Sequence, residues 1–191
     1  MSQYCYSPLS SECDSIRLIR LMPNKDDSAE IQIELFECPL QISRGNHLYE
    51  ALSYVWGNPD EKLPIFIYGC RFDVTVNLHV ALLHLRNHFV ERILWVDAIC
   101  IDQKNLEEKK YQVQSMAKIY CQASRVVVWL GEAADGSDLA LEEMRLAGGR
   151  ISTHPSNEEA VEKSVLALLQ RPWFRRIWVR EQISDDIRNS S

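Results

Sequence analysis

The chain lacks any apolar run near the roughly 20 residues that a membrane-spanning helix needs. Its first residues, Met1-Ser2-Gln3-Tyr4-Cys5-Tyr6, lack the basic segment followed by an apolar one that marks a secretory signal. Positive charge is in deficit. There are 21 Lys and Arg against 27 Asp and Glu, a net charge of −6, which argues against general nucleic-acid binding. None of the six cysteines (Cys5, Cys13, Cys38, Cys70, Cys100, Cys121) forms a Cys-x-x-Cys pair. They read as reduced, mostly buried thiols of a cytoplasmic protein, not as a zinc site or a disulfide framework. Glycine is sparse, seven residues scattered as single turn formers, with neither a Walker-type phosphate loop nor Gly-x-Gly-x-x-Gly. A classical mononucleotide fold is therefore not expected. Internal repeats and low-complexity tracts are also missing.

What is present suits one soluble globular domain. Its 191 residues can bury a sizeable core, and 46% of them are apolar. Residues 1–15 are polar and read as a flexible arm. Residues 16–48 read as an antiparallel β appendage at one edge. It comprises Ile16 to Leu21, a turn at Pro23-Asn24-Lys25-Asp26-Asp27, and the period-two run Ile31 to Leu35. Residues 49–185 form the main domain, and 186–191 a frayed tail.

Within that domain, Tyr49 to Trp56 reads as a central strand ended by Gly57, which permits a tight turn. Gly69-Cys70 joins two strands of a hairpin. Asn77 can cap a helix whose core stripe is Leu78, Ala81, Leu82, Leu85 and Phe89. His79, His84 and His88 lie off that stripe and read as surface residues, so no metal site is expected. Asn105-x-x-Glu108 is a near capping box opening a helix to about Cys121, with Val113, Met116, Ala117 and Tyr120 inward. Arg125 to Leu130 reads as a buried strand. Strand, helix and strand from 93 to 130 make a βαβ unit with parallel strands. Gly136 turns the chain into a short helix that Gly148-Gly149 ends. Ser156-x-x-Glu159 opens another, with Val161, Val165, Leu168 and Leu169 inward, broken at Arg171-Pro172.

Two stretches carry candidate chemistry. Ile93-Leu94-Trp95-Val96 is a strand that ends in Asp97-x-x-Cys100-x-Asp102-Gln103. In an open parallel sheet ligands bind beyond the carboxyl ends of strands, so this run is a candidate site wall. The alternative is that Asp97 and Asp102 cap turns and helices. The second stretch, Trp173 to Ile183, gathers two tryptophans and several arginines. It reads either as a solvated basic face with two core anchors, or as an aromatic and cationic wall for an anionic, ring-bearing ligand such as a nucleotide.

Taken together, Tyr49-Glu50-Ala51-Leu52-Ser53-Tyr54-Val55-Trp56-Gly57, Asn77-Leu78 with Ala81-Leu82, Leu94 to Gln103, Met116 to Tyr120, Arg125 to Gly131 and Arg171-Pro172-Trp173-Phe174 with Arg176 and Trp178 resemble the fungal heterokaryon-incompatibility (HET) domain. The resemblance covers roughly residues 16–183, and its blocks occur in the family's order. It implies a distant relationship to TIR domains and a TIR-like, flavodoxin-like three-layer α/β fold with a mainly parallel sheet. It further implies a cell-death effector that cleaves NAD at the nicotinamide–ribose bond. NAD, or a related nucleotide, is then a substrate and no cofactor is called for. The implied partners are a second copy and an activating protein of unknown identity.

On that resemblance Ser53, Tyr54, Trp56, Gly57, Asp97, Cys100, Asp102, Gln103, Trp173, Arg176 and Trp178 would contact substrate. Catalytic TIR domains carry a glutamate four residues after a tryptophan. Four residues after Trp178 stands Gln182, and the carboxylate is one place early, at Glu181. Three readings of this departure stand open: an inactivated site, a natural non-catalytic member, or Glu181 as the working carboxylate. A non-enzymatic, self-associating signalling module is the alternative to an enzyme. HET domains usually belong to longer proteins, so the chain is expected to be a minimal domain or a truncated member.

Overall fold

A computed structural model describes residues 2–10, 14–40, 48–148 and 158–175. The chain divides into two compact units, 1–129 and 130–191. The first is an α/β unit built on a seven-stranded mixed sheet.

Its strands are β1 (Ser15–Leu21), β2 (Gln32–Pro39), β3 (Glu50–Tyr54), β4 (Lys62–Ile67), β5 (Cys70–Thr75), β6 (Arg92–Trp95) and β7 (Arg125–Trp129). Their spatial order is β5-β4-β2-β1-β6-β3-β7. Three pairings are parallel, β2 with β4, β3 with β6 and β3 with β7. Three are antiparallel, β1 with β2, β1 with β6 and β4 with β5. The expectation of a mainly parallel sheet is corrected accordingly. The β1–β2 pair forms as the sequence suggests, Ile19 facing Leu35, but it is no edge appendage. β1 is the middle strand, flanked on both sides. Six of its seven residues are buried, as a two-sided core position requires.

β4 and β5 turn through Tyr68 and Gly69, both at positive φ (50° and 75°), which matches the right-handed twist of a hairpin. Helix α1 (Val76–Leu85) follows, with Leu78, Ala81 and Leu82 buried in the core. Thr75, not Asn77, holds the N-cap position. Phe89 lies past the helix end and is 73% exposed, because the chain leaves helical geometry at Arg86. Among the histidines, His84 and His88 are exposed and His79 is half-buried.

The helix expected from 105 to 121 is two, α3 (Leu106–Gln114) and α4 (Met116–Gln122), after the single-turn helix α2 (Asp97–Cys100). Ser115 makes the break: its hydroxyl donates back to the Tyr111 carbonyl at 3.1 Å, a bond that bends helices. Gln112, Met116 and Ile119 face inward, while Val113 and Ala117 are exposed. The polar Gln112 belongs to the core because its amide donates to the Ser15 carbonyl at 2.9 Å.

β7 is an outer strand of the sheet, not an enclosed one. Val126 and Val128 are 47% and 39% exposed, since only β3 pairs with it among the described strands. In the second unit, α5 (Ser137–Gly148) and α6 (Glu158–Leu169) precede a 3-10 turn, Pro172–Arg175. Leu168 is buried, but Leu169 is exposed because Ser164 takes the inward position four residues before Leu168. Gly136 must stay small: at φ +73° a Cβ there would sit 2.4 Å from the Ser164 hydroxyl. Ser156 lies outside the described residues.

Glu50 links three strands. On β3 its carboxylate meets Arg92 from β6 and Arg125 from β7. Burial alone would raise this carboxyl, but the two arginines outweigh it and hold it below its ordinary value of 4.5. A lowered folded pKa adds stability that is complete above 4.5 and fades as pH falls through the folded value. Urea midpoints measured across the acid range will therefore fall more steeply for the wild type than for Glu50→Gln below pH 4.5.

Candidate functional site

The carboxyl ends of the parallel strands β3 and β6 are tied together by short polar contacts. Past β3 the chain turns at Gly57, whose φ is +80° and whose missing Cβ would approach the Asn77 Cβ to 3.2 Å. Asn77, in the first turn of α1, donates to the Val55 carbonyl and accepts from the Trp129 indole at 3.0 Å. Its side chain thus joins the ends of β3 and β7 and caps nothing.

Past β6 the chain enters α2 with Asp97 as its first residue. Asp97 is buried, and both carboxylate oxygens are engaged. One accepts the Ala98 N–H at 2.8 Å, the other the Trp56 indole N–H at 2.9 Å. The indole of Trp56 is therefore held in one orientation. Asp102 accepts the Lys104 N–H at 3.0 Å in the turn that leads to α3. Gln103 donates its amide to the Asp97 carbonyl at 3.0 Å and the Ile101 carbonyl at 3.4 Å.

Trp56, Asp102 and Gln103 open onto one cavity of about 520 Å³. Its other wall comes from the arm and from β5, which no sequence motif marks. Tyr4 and Tyr6 of the arm and Phe72 of β5 line the same space. Their rings meet edge to face, with centroids 5.3 to 6.4 Å apart. The arm is anchored there by the Tyr4 N–H to the Arg71 carbonyl and the Arg71 N–H to the Ser2 carbonyl, each 3.0 Å, and by the Tyr6 hydroxyl to the Ile99 carbonyl at 2.8 Å. These contacts go beyond the loose arm expected from its composition. The available signal was Tyr4-x-Tyr6, two aromatics at period two in a polar stretch. Burial raises both phenols above their ordinary value. Lys62 and Lys104 also line the cavity and are exposed.

Arg17 of β1 holds this region from beneath. Its guanidinium is buried and paired with both carboxylate oxygens of Glu108, and it donates to the Cys100 carbonyl at 3.2 Å and the Ser7 carbonyl at 2.7 Å. It lies 5.0 Å from the Tyr6 ring centroid. The capping box expected at Asn105 is consequently half made. Asn105 accepts the Glu108 N–H at 3.1 Å, but the Glu108 carboxylate goes to Arg17 and the Asp102 N–H instead of returning to Asn105.

The remaining candidates fall elsewhere. Ser53 is half-buried, Tyr54 is buried, and neither lines the cavity, nor does Gly57. Cys100 is in the core, where its sulfur accepts the Val96 N–H at 3.3 Å. Burial pushes its thiol up to about 12, so it stays neutral and is no nucleophile. Trp173 belongs to the second unit, edge-on to Phe174 at 5.1 Å. Arg176, Trp178, Glu181 and Gln182 lie outside the described residues. Among the described residues there is no cluster of three His, Cys, Asp or Glu side chains able to hold a metal, and no helix long and apolar enough to cross a membrane.

The family model described as heterokaryon incompatibility protein (HET) matches residues 49–181, well over half of the chain. The chain belongs to the HET family. It is 28% identical over 222 aligned residues to heterokaryon incompatibility protein 6, OR allele, of Neurospora crassa, covering 91% of this chain and 32% of that protein. This HET chain thus spans about a third of the length of that curated relative. No solved structure matches it. The matched segment contains Trp56, Asp97, Asp102 and Gln103, while Tyr4 and Tyr6 precede it.

The Arg17–Glu108 pair offers a direct test of how the site is held. Arg17→Met leaves a buried carboxylate unpaired and should cost about 3–5 kcal/mol in chemical denaturation. Arg17→Met with Glu108→Met should cost much less than the two single losses added together, since no buried charge is left alone.

Proposed function

We propose that this HET domain is a cytoplasmic heterokaryon-incompatibility effector that kills the cell by cleaving NAD at the nicotinamide–ribose bond. The observation that supports this best is the cavity at the carboxyl ends of β3 and β6, where Trp56, Asp102 and Gln103 converge. Its volume and aromatic walls suit a nucleotide-sized, ring-bearing molecule. In the reaction the C1′–N bond breaks, nicotinamide leaves with the bonding pair, and water adds to C1′ with release of one proton. Positive charge builds on the ribose in the transition state, and a nearby carboxylate stabilises it. On this reading that role falls to position 182. Gln182 has nearly the shape of Glu but supplies no negative charge, and losing such a group costs on the order of 3 kcal/mol of transition-state stabilisation.

The purified chain should release nicotinamide slowly or not at all, and Gln182→Glu should raise the rate by about 100-fold or more. If Glu181→Gln abolishes residual release instead, Glu181 is the working carboxylate. No release from Gln182→Glu at high protein concentration would discard the reaction.

One observation favours a second reading, a non-enzymatic module that signals by self-association or through an activating protein. Val126 and Val128 leave an apolar face on the outer strand β7. Concentration-dependent oligomers in sedimentation velocity that Val126→Lys dissolves would favour it. A monomer at all concentrations would remove it.

A further inference from the structure

We infer that Asp102 is the carboxylate that meets the positive end of the substrate in this cavity, where it selects the cationic nicotinamide ring and stabilises the ribosyl cation. The inference rests on the proposed function for its substrate and reaction.

Among the described residues two carboxylates line the cavity, Asp73 and Asp102. Asp73 is exposed and paired with Arg71 at 2.9 Å. Asp97, behind the wall, has both oxygens engaged. Asp102 differs from both. It is half-buried, and its Oδ1 accepts the Lys104 N–H at 3.0 Å. Its Oδ2 makes no hydrogen bond or ion pair among the described residues, and it is not closed off from solvent.

The residue itself is held from three sides. Its N–H donates to Glu108 at 2.8 Å, its carbonyl accepts the Asn105 N–H at 3.1 Å, and Oδ1 closes the turn. Glu108 is fixed in turn by the buried Arg17. A charged oxygen held in place before substrate arrives needs no reorganisation as charge develops, and this lowers the barrier.

The rest of the lining suits a molecule with a cationic ring and anionic phosphates. Trp56, Tyr4 and Tyr6 supply aromatic rings, whose faces attract a cation. Burial above all raises the Tyr6 phenol, and the Asp102 charge adds to the rise, so carboxylate and aromatic wall lie within electrostatic reach. Lys62 and Lys104 are exposed on the lining and suit the diphosphate. As the C1′–N bond breaks, the electron pair leaves with nicotinamide and the ribose becomes positive. Asp102 faces that charge without bonding to it, and water then adds to C1′ and gives one proton to solvent.

A residue that only shapes the turn would use Oδ1 alone. Asp102→Asn separates the two roles, because its amide oxygen still accepts the Lys104 N–H and only the charge is lost. Calorimetry on the full chain compares NAD with its reduced form, whose nicotinamide ring is neutral. The wild type should bind NAD about five-fold tighter. Asp102→Asn should lose most of this preference at a nearly unchanged urea midpoint. Added to Gln182→Glu, it should lower kcat for nicotinamide release about 100-fold and raise KM only a few-fold.

Equal binding of the two forms by the wild type would overturn the inference. So would a lowered urea midpoint in Asp102→Asn with the preference intact, which makes Asp102 a turn residue alone. Undiminished release from the double variant would overturn it too and leave the proposed reaction in place. Preference lost in Asp102→Asn with no release from any chain would keep Asp102 as the residue that selects the cationic ring and remove the reaction.

Discussion

One buried guanidinium holds four stretches of chain in place. Arg17 sits on the middle strand of the sheet and donates to Glu108, to the Cys100 carbonyl and to the Ser7 carbonyl, with Tyr6 stacked nearby. A charge out of water is tolerated only when its partners are close and complete. Burial alone would lower the affinity of Arg17 for its proton, but Glu108 outweighs it and the balance is upward. The partners are 10 to 91 positions away in sequence, so none can settle without the others. Glu108 in turn accepts the Asp102 N–H, which fixes the backbone path of the very loop that carries Asp102 and Gln103. The site wall is thus an extension of an ion pair and not of helix capping alone.

The central position of β1 explains why the arm reaches the site. β1 runs antiparallel to β6, with Ile19 opposite Leu94 and Leu21 opposite Arg92. That register sets the start of β1 beside the end of β6. The residues before β1 therefore emerge where the parallel strands β3 and β6 finish. This is the end of a parallel sheet at which ligands bind. An appendage at the edge would have left Tyr4 and Tyr6 remote from Trp56. A hairpin inserted in the middle makes them part of its cavity.

Much of the fold was legible in local pattern. Alternation gave β2, the glycine turn gave the β4–β5 hairpin, and helical spacing gave the buried face of α1. The strand end at Asp97-x-x-Cys100-x-Asp102-Gln103 was readable as a wall because apolar strand formers stop abruptly at carboxylates. Illegible were the features set by distant partners. Strand order depends on pairing between residues far apart, and nothing in Ile16 to Leu21 says which strands will flank it. Glu108 reads as a capping-box acid because Arg17 is 91 positions away. Gln112 reads as solvated because its acceptor is the Ser15 carbonyl. Asp97 was ambiguous between cap and site residue and is neither in the simple sense. It binds an indole that forms the wall.

That role of Asp97 bears on the proposed chemistry. A carboxylate that stabilises a ribosyl cation must turn toward the sugar with an oxygen to spare. Both Asp97 oxygens are engaged in the buried contacts to Ala98 and Trp56. Turning it to substrate would release the indole and dismantle the wall it supports. Asp102 holds the turn into α3 through the Lys104 N–H. Asp97 is thus structural, whereas Asp102 lines the cavity and holds the turn through one oxygen only. A carboxylate that faces this cavity with an oxygen to spare is therefore Asp102 and not Asp97.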